Sequence, residues 1–293
     1  MANAPKPATV KNESSSASNL FATLVIPICI LVGVSLFIFV LGKPSNFIIE
    51  DAIASTNSKV SLAFFNDDTT HILPKVGNYG GMAFKGGFIV PILMGMLLMV
   101  MVFSIERLIV IGKATGKGSL DAFIKKVQGL LSAGNIQAAV AECDKQEGSV
   151  ANVIKSGLKK YSEVEADSRL DVEQSVVAIQ KDIEEATSLE MPMLEQNLTV
   201  IATLVSVGTL TGLLGTVTGM IKAFGGLANS GAPDQAALAT GISEALINTA
   251  TGISTSTVAI IMYNILTSKI DKLTYAIDEA GFSIIQTYAS THK

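Results

Sequence analysis

Four long stretches of this chain carry no charged residue, and each is long enough to cross a lipid bilayer as a helix. A helix needs about 20 mostly apolar residues to span a hydrocarbon core about 30 Å thick. The four stretches are residues 20–42, 86–105, 196–221 and 245–268. Only 16% of the 293 residues are charged, against about 25% in soluble domains. The sequence therefore predicts an all-α membrane protein with four transmembrane helices, a cytoplasmic helical domain, and long helices that extend from the membrane into the cytoplasm.

The distribution of positive charge predicts the orientation in the membrane. Lysine and arginine are concentrated between the second and third stretches, whereas the turn 228–235 has neither. Because cytoplasmic loops carry the excess of these residues, the large middle segment is predicted to be cytoplasmic. An even number of crossings then places both termini in the cytoplasm.

The segment between the second and third stretches reads as a series of helices. Apolar residues at helical spacing predict amphipathic helices between 121 and 195, with a turn at Gly134–Asn135. The last of these begins after Asp171 and is predicted to run into the third stretch with a kink at Pro192. The final helix of the chain is predicted to extend past the fourth stretch and to bury an apolar face of Tyr275, Ile277, Phe282 and Ile285.

The third and fourth stretches are rich in glycine and threonine, where a lipid-facing helix would carry leucine. Small residues recur at helical spacing in both of them: Gly208, Gly212, Gly215 and Gly219 in the third, and Ala245, Thr249, Gly252 and Ser256 in the fourth. Such stripes let membrane helices pack closely. Because the two stretches run in opposite directions from a short turn, Thr216 and Thr249 are predicted to lie at similar depth. Two interpretations stay open, a polar path for a small ion and close helix packing alone.

Two charged sites near the ends of the stretches are candidates for function. An ionisable group at the centre of a membrane costs about 2.5–3.5 kcal/mol and is often functional. Glu244 is predicted either to pair with Lys222 at the interface or to take part in ion passage. Glu106–Arg107 is interpreted as an interfacial pair that reaches toward water. No acidic residue lies deep in any stretch, so a transported proton would need a carboxylate from Glu244 or from another polypeptide.

Several other classes of function are disfavoured by the sequence. The two histidines, His71 and His292, lie in a loop and near the terminus, and no HExxH or CxxC motif occurs. We therefore expect no enzymatic activity, no metal and no cofactor. Cys29 and Cys143 are predicted to lie in different compartments, which excludes a disulfide between them. The net charge of -4 without a basic run argues against nucleic-acid binding.

The glycine–threonine stretches resemble the MotA/TolQ/ExbB proton channel family. The run GLLGTVTGM at 212–220, followed by Phe224, is similar to the family signature GLLGTVxGM…F. The run GISEAL at 241–246, with Thr249, Gly252 and a terminal Tyr263–Asn264, resembles the family pattern GIxEALxxTxxG…YN. Glu106–Arg107 matches the pair that ends the first conserved span of the family. Residues 20–85 are additional to the pattern.

The resemblance implies a homo-pentamer around single-span subunits similar to ExbD or TolR, whose aspartate would carry a proton beside Thr216 and Thr249. It implies Thr216, Thr249 and Glu244 as the ion pathway, and Gly212, Gly215, Gly219 and Gly252 as packing residues of the pore helices. Protons would be the coupling ion, and the expected partners include membrane lipids and a TonB-like protein. An ExbB-like role in TonB-dependent outer-membrane transport is the leading prediction. The alternatives are a TolQ-like or gliding-type motor stator, a passive membrane scaffold, and a channel that needs no partner.

With this resemblance, the sequence predicts nine segments in a multi-pass protein of the bacterial inner membrane. They are a disordered cytoplasmic tail (1–19), an extra transmembrane helix (20–42), a periplasmic loop (43–85), a transmembrane helix (86–110), a cytoplasmic helical domain (111–195), a pore-lining transmembrane helix (196–227), a periplasmic turn (228–235), a second pore-lining transmembrane helix (236–268) and a cytoplasmic helical tail (269–293).

Overall fold

The computed structural model describes residues 13–48, 73–74, 78–166, 169–229 and 235–292, which are helical almost throughout. The helices are α1 (Glu13–Leu36), α2 (Tyr79–Phe84), α3 (Ile89–Thr115), α4 (Leu120–Ser132), α5 (Ile136–Gln146), α6 (Gly148–Ala166), α7 (Val172–Glu195), α8 (Leu198–Asn229) and α9 (Gln235–Thr291). A π-helical turn, Phe37–Leu41, follows α1, and Pro44–Asn46 forms a 3-10 turn. Two two-residue strands, β1 (Phe47–Ile48) and β2 (Leu73–Pro74), pair antiparallel.

Four helical stretches among the described residues are long and apolar enough to cross a membrane. They are Thr23–Leu41, Ile89–Ser132, Val172–Gly225 and Leu238–Thr291. The prediction of an all-α membrane protein is therefore confirmed. The final helix is longer than any bilayer requires, because the 57 residues of α9 at about 1.5 Å each reach about 85 Å.

Two local predictions, one helix start and one kink, are wrong. The polar tail was expected to end at residue 19, but α1 begins at Glu13, since serine and alanine can extend a helix that the apolar span already stabilises. The kink expected at Pro192 is instead a break four residues later. There α7 ends at Glu195, and Asn197 adopts the left-handed conformation with φ of 62°, which asparagine tolerates better than most residues. Most of the predicted loop 43–85 and turn 228–235 lies outside the described residues.

The chain divides into two compact units. The first unit comprises Met1–Met101 and Thr203–Ala259. Within it, the backbones of α1 and α3 are in close contact. A Cβ placed on Gly33 would lie only 2.6 Å from the amide nitrogen of Gly95. An aromatic cluster after α1 packs the additional N-terminal segment against α9. It contains Phe37, Phe47, Phe84 and Val90, with Ile247 at its edge.

The second unit comprises Val102–Ala202 and Ile260–Lys293. Its helices α4 to α7 are amphipathic, as the apolar spacing predicts, and they bury Phe123, Val127, Ile154, Leu158, Ile179 and Ile183. The buried face of the second half of α9 differs from the predicted one. Ile277 is buried, but Tyr275 and Phe282 are 71% and 66% exposed. The face that is buried instead consists of Leu266, Ile270, Leu273, Ile277, Ile284 and Tyr288.

Candidate ion pathway between α8 and α9

The helices α8 and α9 meet along the two predicted stripes of small residues. A Cβ placed on Gly252 would lie 2.8 Å from the carbonyl oxygen of Gly208 and 2.8 Å from the Cα of Gly212. A Cβ placed on Gly219 would lie 2.8 Å from the carbonyl oxygen of Gly241. Neither position could carry a larger side chain without separating the helices, so glycine is what allows the two backbones to touch.

The hydroxyl groups of Thr216 and Thr249 are hydrogen-bonded to each other across this contact. Each also lies within reach of a carbonyl oxygen of its own preceding turn, Gly212 at 3.3 Å for Thr216 and Ala245 at 3.2 Å for Thr249. Both side chains are partly exposed in the single chain. The structure thus brings together, at one level, the two threonines that the sequence singled out.

Glu244 is paired with Lys222 at one end of the same contact. The Lys222 Nζ lies 3.0 Å from Oε1 and 3.4 Å from Oε2 of Glu244. The Glu244 side chain is 10% exposed, whereas that of Lys222 is 55% exposed. The carboxylate also lies against the backbone of Gly87, in the turn before α3, where φ is 74°. The predicted pairing is present, and it leaves the function of Glu244 open.

A third polar pair lies further along the two helices, on the other side of the threonines from Glu244. The hydroxyl of Thr209 donates to that of Ser256 at 2.8 Å, and Ser256 is buried. The α8 members of the three pairs, residues 209, 216 and 222, are spaced at six to seven residues, or about 10 Å along the helix. The contact between α8 and α9 therefore carries polar groups at three successive levels.

The pair Glu106–Arg107 lies in the second unit, and the prediction that it reaches toward water is wrong for the arginine. The Arg107 side chain is 3% exposed. Its Nε donates to Glu106 Oε2 at 2.6 Å, and its Nη1 donates to the carbonyl oxygen of Met193 at 3.0 Å. Asn197 Nδ2 lies 3.5 Å from the same carboxylate. The pair therefore binds the end of α7 and the left-handed residue that separates α7 from α8.

Asn248 is a buried residue that the sequence did not single out. It is fully buried on α9, next to Thr249. Neither atom of its amide has a hydrogen-bond partner among the described residues. The uncharged run from 245 to 268 was a signal for burial, but its periodicity could not separate Asn248 from the other polar residues around it.

Comparisons with known proteins give one matching family model and two relatives of this chain. The model of the MotA/TolQ/ExbB proton channel family matches residues 145–279, which include all of α8 and most of α9. The Tol-Pal system protein TolQ of Pseudomonas aeruginosa is 29% identical over 157 residues, which cover 54% of this chain and 68% of TolQ. The ExbB-like 3 protein of Synechocystis, named for biopolymer transport, is 33% identical over 88 residues. These cover 29% of this chain and 42% of that protein.

Proposed function

We propose that this chain, which contains a MotA/TolQ/ExbB proton channel family domain, is the ring-forming subunit of an ExbB-like motor that couples proton flow to TonB-dependent outer-membrane transport. The observation that carries the proposal is the Thr216–Thr249 hydroxyl pair between two glycine-faced helices. Hydroxyl groups donate and accept hydrogen bonds, so such a pair can stabilise a proton carrier at a depth where lipid cannot.

The proposed path needs a carboxylate at the depth of the two threonines. The helices α8 and α9 have none at that depth. The acidic residue of α8 and α9 that is nearest in sequence to the threonine pair is Glu244, which lies just outside the uncharged run 245–268 and is paired with Lys222. We therefore assign the proton carrier to the aspartate of a single-span ExbD- or TolR-like partner, enclosed by five copies of this chain. Glu244 would line the same path near its outer end. Each proton would release about 2.3 kcal/mol per 100 mV of membrane potential.

The arrangement in the cell follows from the same proposal. The chain would lie in the bacterial inner membrane with both termini in the cytoplasm, as the distribution of positive charge predicts. Movement of the ring relative to its partner would then transmit energy to the periplasmic side.

Conservative threonine variants test the proposal. Thr249→Val and Thr216→Val keep the side-chain shape but remove the hydroxyl, so the ring should assemble while proton flux falls by about 100-fold, as for loss of a proton-transfer group. Flux is measured in lipid vesicles that contain the assembly with its co-purified partner. Thr249→Ser should retain flux, and Thr257→Val is the matched control because Thr257 is exposed and bonds to its own helix at Ile253.

The same panel distinguishes the competing functions. Wild-type flux in both valine variants would contradict the proposed path. Equal tolerance of valine and serine, with no response to the proton gradient, would indicate a passive scaffold. Proton conduction by rings purified without any partner would indicate an independent channel.

A TolQ-like motor for envelope integrity is the second candidate. The specific observation in its favour is the longer match to the Pseudomonas TolQ, 157 residues against 88 for the ExbB-like protein. Deletion of the gene separates the two candidates. Loss of TonB-dependent outer-membrane transport with an intact envelope would support the ExbB-like role, whereas a leaky envelope with normal transport would support the TolQ-like role.

A further inference from the structure

The additional N-terminal segment reaches Glu244 through a short turn. This turn, residues 85–88, connects α2 to α3 and packs on α9 at two places. A Cβ placed on Gly86 would lie 2.8 Å from Cγ2 of Ile247, and a Cβ placed on Gly87 would lie 2.8 Å from Cδ of Glu244. Residues three apart on a helix share one face. The turn therefore covers the face of α9 that carries the Glu244 carboxylate.

Aromatic packing fixes this turn to the end of α1. The ring of Phe84, the last residue of α2, stacks on that of Phe37 with centroids 4.8 Å apart. It also meets the ring of Phe47 edge-on, with centroids 5.5 Å apart, and all three side chains are buried. Such ring pairs stabilise a structure beyond the area that they bury. The position of the turn therefore depends on Phe37 and Phe47 of the additional segment.

Hydrogen bonds hold the start of α2 to the same place. The side chain of Asn78 accepts from the backbone N–H of Gly81 at 3.0 Å, and its Nδ2 donates to Oδ1 of Asn46 at 3.1 Å. Asn46 Nδ2 in turn donates to the carbonyl oxygen of Leu41 at 2.9 Å. The short helix α2 is thus fixed to the end of α1 at both of its own ends.

Glycine is required at position 87 for two independent reasons. Its φ of 74° lies in the left-handed region, which glycine adopts without steric cost. In addition, the Glu244 carboxylate occupies the space where a Cβ would lie. The Glu244 side chain is only 10% exposed, although its partner Lys222 is 55% exposed. The contact with Gly87 therefore supplies part of the cover over the carboxylate.

We propose that the additional N-terminal segment positions Glu244 in its pair with Lys222, because it holds the Gly86–Gly87 turn against the carboxylate. Gly87 is the positioning residue, since it contacts the carboxylate and has no ionisable group. The proposal gives a role to residues that lie outside the match to the family model, 145–279. The importance of this position for ion passage rests on the proposed function, whereas the position itself does not.

The accessibility of position 244 tests the positioning directly, in the assembly purified with its partner. In Glu244→Cys the thiol should react slowly with a maleimide, and Cys29 and Cys143 give little background because both are buried. Adding Phe84→Ala should release the turn and raise the labelling rate by about tenfold, equivalent to about 1.4 kcal/mol in the free energy of local opening. Phe88→Ala is the matched control, because Phe88 is in the same turn but 68% exposed. Cys143 should stay unlabelled throughout, which shows that the protein remains folded.

Glycine variants test the same contact without disturbing the aromatic cluster. Gly87→Ala forces the carboxylate to move, so proton flux in vesicles should fall by up to about 100-fold, the cost of misplacing a functional group by about 1 Å. Gly134→Ala is the matched control, because Gly134 has a φ of 71° but a Cβ there meets nothing within 4 Å. Both variants carry the same backbone strain and should lower the melting temperature equally, but only Gly87→Ala should lose flux.

A double variant separates displacement of Glu244 from backbone strain. Gly87→Ala combined with Glu244→Asp moves one carbon from residue 244 to residue 87, which conserves the volume at the contact. The double variant should conduct better than Gly87→Ala alone, because residues in contact show non-additive effects. Losses that simply add would contradict a direct contact between the two residues.

The two measurements also separate this proposal from the proposed function. Equal labelling rates with Phe84→Ala and Phe88→Ala would overturn the positioning of Glu244, whatever the flux. The expected labelling pattern in an assembly that conducts no protons would contradict the proposed function and leave the positioning of Glu244 standing.

Discussion

The two halves of α9 pack by opposite means. Between residues 241 and 256, the helix presents glycine, alanine, serine and threonine, and its backbone touches that of α8 within van der Waals distance. Between residues 266 and 288, it buries leucine, isoleucine and tyrosine side chains. One example is Tyr288, whose ring lies 4.9 Å from that of Tyr161.

The difference follows from the solvent that each half is suited to. In lipid, burying apolar surface gives no hydrophobic gain, so helices associate through close backbone approach and hydrogen bonds. In water, each buried Å² of apolar surface contributes about 25 cal/mol. The exposed face of the second half carries charged residues suited to water: Lys269, Asp271, Lys272, Asp278 and Glu279. Removal of atoms should therefore damage the second half, and addition of atoms should damage the first.

The largest effect on stability is expected from removing atoms in the second half. Ile277 is 1% exposed, so Ile277→Ala should lower the free energy of unfolding by about 2–5 kcal/mol. The measurement is denaturant unfolding of the full-length protein in detergent. Phe282→Ala is the control, since Phe282 is 66% exposed, and its effect should stay within about 0.5 kcal/mol. Equal losses in the two variants would mean that Phe282 packs against another subunit.

A smaller effect is expected from adding a single methyl group to the first half. The Cβ of Gly252→Ala would press on the Gly208 carbonyl and the Gly212 Cα, both at 2.8 Å, and overpacking of this kind costs about 1–3 kcal/mol. Gly225→Ala is the matched control on α8, because a Cβ there meets nothing within 4 Å. Helix propensity alone should stabilise that variant by up to about 1 kcal/mol. A neutral Gly252→Ala would show that the backbones are not in contact in the assembled protein.

The features that depend on local periodicity could be predicted from the sequence. The glycine and threonine stripes of α8 and α9 repeat at helical spacing, and antiparallel helices with such stripes have few ways to meet. This is why the sequence alone could predict that Thr216 and Thr249 lie at one level. The amphipathic helices of the second unit follow the same logic.

The features that depend on a distant partner could not be predicted. The burial of Arg107 is decided by the carbonyl of Met193, 86 residues away in the sequence. The second half of α9 has apolar residues on two faces, and only its packing partners determine that Ile277 is buried and Tyr275 is not. Asn248 resembles its polar neighbours in sequence, and only the structure reveals that its side chain is fully buried.

The smallest effect is expected in the pH dependence of stability. It tests whether water is excluded from the interior of the second unit around Cys143. Burial raises the pKa of the Cys143 thiol to about 12, whereas an unfolded thiol ionises near pH 8.5. The neutral thiol thus contributes stability that is complete below about pH 8.5 and is lost as the pH rises toward 12. Between pH 8 and pH 10, the wild-type protein should lose stability more steeply than Cys143→Ala. Burial also raises the pKa of Tyr161, but Tyr161 is present in both proteins and its contribution cancels in this difference. Identical slopes would mean that water reaches the Cys143 thiol in the folded protein.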